Sequence, residues 1–415
     1  MPYIQARYYF IAFLIMLTAN SAEAQGKIFS KKVNTLQIVA DDDFMSPPVI
    51  TLDGEKKVKV SFDEMSHDYH RLIYHIEHCN PDWSTTTDLL ESDFLEGFND
   101  IVIDDYENSI NTTVLYTHYS FTVPNERCQL KLSGNYRITV IDDDSGEQLL
   151  EARLMIVDQK TDLMLNATTN TDIDVNKSHQ QLSMKLNYRH LNVTNPDEEI
   201  FTIVTQNERN DNMRINVRPT MRNSEGMEWS HNRDLIFDGG NEYRKFEMLS
   251  LSHPTMGIDE IGWDGTNYNA FPFIAEPRRN YVYDVDANGA FYIRNSDNSE
   301  NETTCDYVYV NYRLKTGDRP FGNVVINGKW TNHADKNLYV AKYNDEDDCY
   351  SLRILQKQGY YSYQYLLSDN NGNSSQLDSE GNFHETENRY QAYVYFKAQG
   401  KRYWQLVGYR QLLFK

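Results

Sequence analysis

A period-two alternation of large and polar side chains constrains this fold more than any other feature of the sequence. Tyr361, Tyr363 and Tyr365 alternate with their neighbours within 360–365, and a second run at 390–396 has the same spacing. Successive side chains of a β-strand point to opposite faces of the sheet, so this spacing gives each face its own row of side chains. The two runs therefore predict two strands joined by a long polar loop.

Short alternating runs separated by turn residues fill most of the chain from residue 36 onward. The turn at 144–146 predicts a hairpin, and Asn288-Gly289 predicts another between 280–284 and 290–294. One helical turn is predicted within 88–98. The remaining predicted strands lie at 57–62, 71–76, 134–141, 149–157, 181–189, 199–206, 212–218, 235–237 and 243–249. Many short strands with little helix predict an all-β protein of tandem immunoglobulin-like sandwiches.

Two polar stretches divide the chain into three predicted blocks. The first stretch is 158–162 and the second is 295–304, which lacks large apolar residues. Such stretches are typical of boundaries between folded units. The predicted blocks are an N-terminal sandwich at 28–158, a middle β domain at 160–301 and a C-terminal sandwich at 302–415.

The N-terminal residues resemble a secretion signal. Arg7 precedes the apolar run 8–17, which is too short to span a bilayer as a helix, and Ala22-Glu23-Ala24 has the small residues that signal peptidase requires. We expect residues 1–24 to be removed between Ala24 and Gln25, leaving a soluble exported protein. The net charge of −21 argues against binding to nucleic acid or anionic lipid. We expect no direct membrane insertion, because no later apolar segment is long enough for a transmembrane helix.

Four cysteines allow two disulfide bonds in an exported protein, with three possible connectivities. Pairing of nearest neighbours gives Cys79–Cys128 and Cys305–Cys349. Free, buried cysteines remain the alternative, because a core of this size does not need covalent links. The spacings match no zinc-binding pattern.

The sequence contains three kinds of candidate metal site, and none matches a known metal-binding pattern in full. His67, His70, His75 and His78 are crowded together, but on a strand His75 and His78 face opposite sides. Asp284–Gly289 matches half of a calcium loop, yet Asn295 stands where the bidentate glutamate belongs. The acidic runs at 41–43, 142–144 and 345–348 are interpreted as solvated turn tips, with weak calcium binding left open. No catalytic motif, metal site or cofactor site is predicted.

The predicted C-terminal block has a further resemblance. The segment 322–330, followed by Tyr350 and 359–363, is similar to the early-set immunoglobulin-like modules that bind glycogen or starch. This resemblance implies an early-set sandwich for the block. Those modules usually stack sugars on two exposed tryptophans, and only Trp330 stands in a comparable place here. A periplasmic carbohydrate-binding protein is therefore one alternative function, and a hydrolase with unmarked carboxylates is another.

Several strings in order resemble one family over nearly the whole chain. They are KQGYYSYQY at 357–365, EGNFHETENRY at 380–390, HCNPDW at 78–83, FLEGF at 94–98, SINTT at 109–113, YTHY at 116–119 and SGNY at 133–136. These strings resemble the plug proteins of the type IX secretion system.

The resemblance implies a non-enzymatic periplasmic protein without a cofactor. Such proteins bind the periplasmic side of the large outer-membrane translocon barrel, seal its pore when cargo is absent, and are held at the outer membrane by that partner. The residues of this interface are unknown from the sequence; the loop tips at 142–146 and 369–375 are candidates.

Overall fold

The computed structural model describes residues 26–333, 335–369 and 373–415. The predicted signal peptide 1–24, with Ala24 and Gln25 at its cleavage site, lies outside the described residues, as does the centre of the loop 369–375. The described residues form 31 strands and three short α-helices. This confirms the all-β sandwich class predicted from the alternating runs.

The first sandwich contains twelve strands and one helical turn. These are β1 Gly26–Ile28, β2 Val33–Ala40, β3 Val49–Thr51, β4 Val58–Glu64, β5 Leu72–Cys79, α1 Glu91–Phe94, β6 Leu95–Gly97, β7 Ile101–Val102, β8 Asp105–Asn108, β9 Thr117–Val123, β10 Cys128–Leu130, β11 Gly134–Asp142 and β12 Gln148–Val157. The sheet β1-β12-β11-β5-β7, with β3 on β12, packs on the sheet β2-β4-β9-β8. Buried side chains from both sheets, including Phe62 and Tyr136, fill the space between them.

The middle sandwich combines a continuous segment with the last two strands of the chain. Its elements are β13 Asp162–Thr168, β14 His179–Asn187, α2 Pro196–Glu199, β15 Ile200–Gln206, β16 Arg214–Ile215, β17 Met221–Arg222, β18 Gly226–Trp229, a 3-10 turn at Arg233–Leu235 and β19 Ile236–Asp238. The second sheet, β16-β15-β30-β31, takes β30 Asn388–Phe396 and β31 Gln405–Phe414 from the far end of the chain. Val204 and Val394 face the shared core.

The third unit is formed by the residues between the two sequence segments of the middle sandwich. It contains β20 Arg244–Glu247, β21 Ile258–Trp263, β22 Tyr268–Pro272, β23 Phe291–Ile293, α3 Asn301–Thr304, β24 Tyr307–Leu314, β25 Asn323–Asn327, 3-10 turns at Lys329–Thr331, Lys336–Tyr339 and Asp378–Glu380, β26 Val340–Asn344, β27 Cys349–Lys357, β28 Gly359–Ser368 and β29 Ser374–Gln376. A ten-stranded sheet encloses one core, into which Tyr361, Tyr363 and Tyr365 project as their alternation predicts.

The sheets do not follow the boundary predicted between 301 and 302. β20 and β23 pair with β28, and β30 pairs with β15. The strand pairing therefore crosses that boundary in both directions, because a side-chain pattern indicates a strand but not its partner. A division into domains at 28–158, 160–301 and 302–415 stays a prediction.

The structure differs from the sequence prediction at two predicted strands. Residues 280–284, all described, form no strand, so the hairpin predicted across Asn288-Gly289 is wrong although the turn itself is present. Side chains hold this segment instead of a ladder, with the hydroxyl of Tyr281 donating to Glu242 at 2.7 Å. The strand predicted at 212–218 is limited to β16, because the carbonyl of Val217 accepts from the indole of a tryptophan. The helical turn predicted within 88–98 is confirmed as α1.

Candidate functional site

A buried ion pair joins the first sandwich to the third unit. Asp63 on β4 is fully buried, and its Oδ2 lies 2.6 Å from Nζ of Lys357 on β27. The hydroxyl of Tyr307 donates to the same oxygen at 2.7 Å, and Nδ1 of His118 lies 2.7 Å from Oδ1. Lys357 also donates to the carbonyl of Glu302 at 2.6 Å. The cluster is thus assembled from two units whose residues are far apart in sequence.

The charge state of this cluster follows from its contacts. Burial by itself raises the pKa of Asp63, but the charges of Lys357 and His118 outweigh burial and bring the pKa below its usual value. Asp63 therefore carries a negative charge that is neutralised inside the protein. Since its oxygens accept hydrogen bonds from three neighbours, the cluster acts as a structural link between the units.

A second link connects all three units at one lysine. Nζ of Lys329 in the third unit lies 2.5 Å from Oε1 of Glu208, which follows β15 of the middle sandwich. The same ammonium donates to the carbonyl of Met45 in the first sandwich at 3.0 Å. Burial lowers the pKa of Lys329, and the adjacent Glu208 carboxylate opposes that shift. One side chain thereby bridges the three units.

A third buried charge lies where the third unit returns to the middle sandwich. Glu380 is 0% exposed, and Nε of Arg244 donates to it at 3.0 Å. Arg278 donates to its other oxygen and, with Nη1, to the carbonyl of Glu242 at 2.6 Å. Burial by itself raises the pKa of Glu380, but the two guanidinium groups bring it below the usual value. The carboxylate therefore fixes the entry to the segment 381–387.

The segment that follows Glu380 is bonded to the middle sandwich through side-chain hydrogen bonds. Nδ2 of Asn388 donates to Oε1 of Gln180 at 3.0 Å and to the carbonyl of Gly239 at 2.8 Å. The hydroxyl of Thr386 donates to the carbonyl of Gly240 at 2.9 Å. These bonds explain the polar character of the residues between the two alternating runs, where the sequence predicted a long polar loop.

The first and middle sandwiches meet through an apolar cluster with polar edges. Met155 on β12 packs with Tyr395 and Leu406 of the last two strands. The Tyr395 hydroxyl donates to Oδ1 of Asn135 at 2.8 Å. The amide of Asp158, directly after β12, donates to the carbonyl of Leu406 at 2.9 Å. The linker predicted at 158–162 is thus bonded to the middle sandwich.

Two carboxyl groups have raised pKa values, which bears on the hydrolase alternative. Burial raises the pKa of Asp286 to about 7 and also raises that of Glu242. The Asp286 carboxyl group accepts hydrogen bonds from the backbone amides of Tyr243 and Asn288. The Glu242 carboxyl group accepts one from the backbone amide of Glu387 at 3.1 Å. Both carboxyl groups therefore anchor backbone segments, which accounts for their burial without a catalytic role.

All four cysteines belong to the described residues, and all four are buried and free. The pairs Cys79–Cys128 and Cys305–Cys349 are not bonded, so the structure corresponds to the alternative that the sequence left open. Sγ of Cys128 instead lies 3.7 Å from the hydroxyl of a tyrosine, and Sγ of Cys305 lies 3.4 Å from an asparagine amide. Burial raises the pKa of Cys79 to about 12 and that of Cys305 to about 11.

The histidines lie as the strand geometry predicts. His78 is buried, with Nδ1 3.0 Å from the Thr86 hydroxyl, whereas the partly exposed His75 points away and lies 2.8 Å from Asp100. Burial lowers the pKa of His78 to about 4. Within the described ranges, no group of three or more histidine, cysteine, aspartate and glutamate side chains is arranged to hold a metal ion.

The acidic runs form turns. Oδ1 of Asp142 accepts the amide of Ser145 at 2.8 Å, and Oδ1 of Asp43 accepts that of Met45 at 2.9 Å. The run at 345–348 lies between β26 and β27. Asp142 and Asp43 therefore cap tight turns, which is the commoner role of such residues.

Trp330 is only 8% exposed and belongs to the core of the third unit. Its ring packs against Tyr312, Tyr339 and Tyr361 at centroid distances of 5.7 to 6.1 Å. A sugar-stacking tryptophan needs one open ring face, which Trp330 lacks. The carbohydrate-binding alternative therefore loses the residue on which it depends.

The first sandwich carries the family assignment. A family model described as "Type 9 secretion system plug protein 1st domain" matches residues 33–158, from β2 to the end of β12. The chain belongs to the type IX secretion system plug family. This confirms the family resemblance, which the strings between 78 and 136 carry within the matched segment, and it assigns the protein a role in type IX secretion.

The structural similarity to a known protein extends beyond the matched segment. A crystal structure of a hypothetical protein from Parabacteroides merdae ATCC 43184 is similar, with a TM-score of 0.90 and 34% sequence identity over 94% of this chain and 100% of that one. The arrangement of three units is therefore shared with that protein. No curated protein matches the chain. None of the helices in the described part of this plug protein is long and apolar enough to cross a membrane.

Proposed function

We propose that this protein is a non-enzymatic plug that binds the periplasmic side of the large outer-membrane translocon barrel of type IX secretion and seals its pore when no cargo is present. The family match over 33–158 carries this proposal. The protein resides in the periplasm and is held at the outer membrane by the barrel.

Sealing a wide pore requires a body that keeps its shape. The buried ion pairs at Asp63 and Glu208 join different units at separate places, whereas the pair at Glu380 lies within the third unit. All three carboxylates are buried. Breaking such a pair leaves a buried charge uncompensated, so a relative motion of the units is strongly unfavourable. This arrangement supports a cap that acts through its surface.

The cap must also leave the barrel when cargo arrives. A reversible contact is expected to be modest in area and polar at its rim. The net charge of −21 keeps the free protein soluble during such cycles.

Affinity purification from the native envelope tests the contact. The translocon barrel is expected to co-purify with a tagged wild-type protein. The variant Lys357→Met, which breaks the buried link, is expected to retain less of the barrel, whereas Lys59→Met removes only an exposed pair with Glu302 and is expected to behave as wild type. Absence of the barrel from the wild-type preparation would contradict the proposal.

A further inference from the structure

A cavity of about 170 Å³ opens between the first and middle sandwiches. Its floor is the face of the sheet β16-β15-β30-β31 that points away from the middle core. Tyr393, Ile203 and Ile215 form one row across this floor, since Ile203 is in register with both of the others. Side chains opposite one another on adjacent strands share a face, so the row is a continuous apolar track.

The track ends at a free sheet edge. Among the described residues, β16 pairs only with β15, and no further strand lies on its other side. Ile215 on this edge is 49% exposed although it lines the cavity. An additional strand beside β16 would continue the row and place one of its side chains over the cavity.

The opposite wall comes from the first sandwich and is held in a strained conformation. Trp83 has a φ of 65°, a backbone conformation that bulky residues rarely adopt and that costs about 1–3 kcal/mol. Its amide donates to the carbonyl of Asn80 at 2.9 Å, and the amide of Ser84 donates to Asp82 at 3.1 Å. The guanidinium of Arg153 lies 4.9 Å from the Trp83 ring centroid. The wall is therefore fixed, and such strain is concentrated at ligand-binding positions.

The size and lining of the cavity indicate its occupant. An apolar cavity of about 150 Å³ accommodates a benzene molecule, so this one has room for a single aromatic ring. Met155 and Met213 add flexible apolar surface that adapts to such a ring. A polypeptide, unlike a free aromatic molecule, can also form backbone hydrogen bonds with the outer edge of β16, where no second strand is paired among the described residues. We propose that this site binds an extended segment of a partner polypeptide that pairs with β16 and inserts one aromatic side chain into the cavity.

Selection from a random peptide library on the full exported protein tests this site without any assumption about the barrel. Met213→Trp fills the cavity, and Met221→Trp adds the same ring at a 64% exposed position on β17 of the other sheet. We expect wild type and Met221→Trp to enrich peptides that share one aromatic residue, and Met213→Trp to lose them. If Met213→Trp does not fold, Ile215→Ser serves as the second cavity variant.

Two modified peptides then test the binding mode. In one peptide the shared aromatic residue is replaced by alanine, and in the other the peptide nitrogens that face β16 are methylated. Each change is expected to weaken binding of the peptide to the protein by at least about tenfold. Equal enrichment by the wild type and by the folded cavity variant overturns the proposal. So does binding of toluene without any peptide enrichment, which would assign the cavity to small molecules. Self-association that the cavity variant abolishes would assign it to a second copy of the chain and equally overturn the proposal.

Discussion

Nζ of Lys357 lies 2.6 Å from Oδ2 of Asp63, and both side chains are 1% exposed. Removing the lysine leaves a buried carboxylate without its principal counter-charge, which costs about 3–5 kcal/mol. Lys357→Met is therefore expected to lower the free energy of unfolding by that amount, measured by urea denaturation. Lys59→Met, at an exposed pair with Glu302, is expected to cost less than about 1 kcal/mol. Equal effects of the two variants would contradict the structural role of Asp63.

Glu380 makes a pH-dependent contribution to stability. Burial opposes ionisation, but Arg244 and Arg278 bring its pKa below the ordinary value of 4.5. A carboxylate with a lowered folded-state pKa stabilises the protein above its unfolded-state pKa and loses that contribution as the pH falls through the folded-state pKa. Glu380→Gln is therefore expected to be destabilised relative to wild type at neutral pH, with a difference that shrinks below about pH 4.5.

Urea denaturation at a series of pH values measures that difference. Glu385→Gln, an exposed carboxylate in the same segment, serves as the control and is expected to change stability by less than about 1 kcal/mol throughout. A difference between Glu380→Gln and wild type that is constant across the series would show that the ionised carboxylate is unimportant.

Trp330 is expected to contribute to stability and to have no part in sugar binding. Removal of a buried tryptophan side chain leaves a cavity and costs about 3–5 kcal/mol. Trp330→Ala should show this loss in thermal or chemical denaturation, whereas Trp263→Ala, at a 50% exposed ring, should remain within about 1 kcal/mol of wild type. Retention of the wild-type protein on immobilised glucan, with loss in a folded Trp330→Phe variant, would restore the carbohydrate-binding alternative.

The cysteines are expected to titrate as four free thiols. Because the thiolate is the reactive form, burial and the raised pKa of Cys79 and Cys305 should make labelling of the native protein slow. Denaturation without reductant should then expose four thiols to a labelling reagent, counted by mass spectrometry. A count of two or none, rising to four after reduction, would show that disulfides form in the exported protein.

Local pattern predicted the strands well. The alternation at Tyr361, Tyr363 and Tyr365 predicted correctly that the three side chains lie on one face of their strand. The three-residue separation of His75 and His78 predicted correctly that these two side chains lie on opposite faces. In both cases the information lies within a few neighbouring residues, where strand geometry determines the outcome.

Partners distant in sequence were not predictable. Nothing near Asp63 indicates a lysine 294 positions away, and nothing in β30 indicates that it pairs with β15 rather than with a strand of the third unit. Residues 280–284 alternate like a strand but are held by Tyr281 and its contact with Glu242. The sequence indicated Glu380 only as a member of a family string. Its structural role was not predictable, because that role depends on two arginines that folding brings close to it.

Uptake of a small antibiotic through the outer membrane tests the central claim most directly. The measurement compares wild-type cells with cells that lack this protein but retain the translocon barrel, and with cells that lack both. The plug function predicts faster uptake when only this protein is absent, restoration by a plasmid-borne copy, and no increase when the barrel is also absent. Unchanged uptake in cells with an unplugged barrel, or an increase that persists without the barrel, would contradict it.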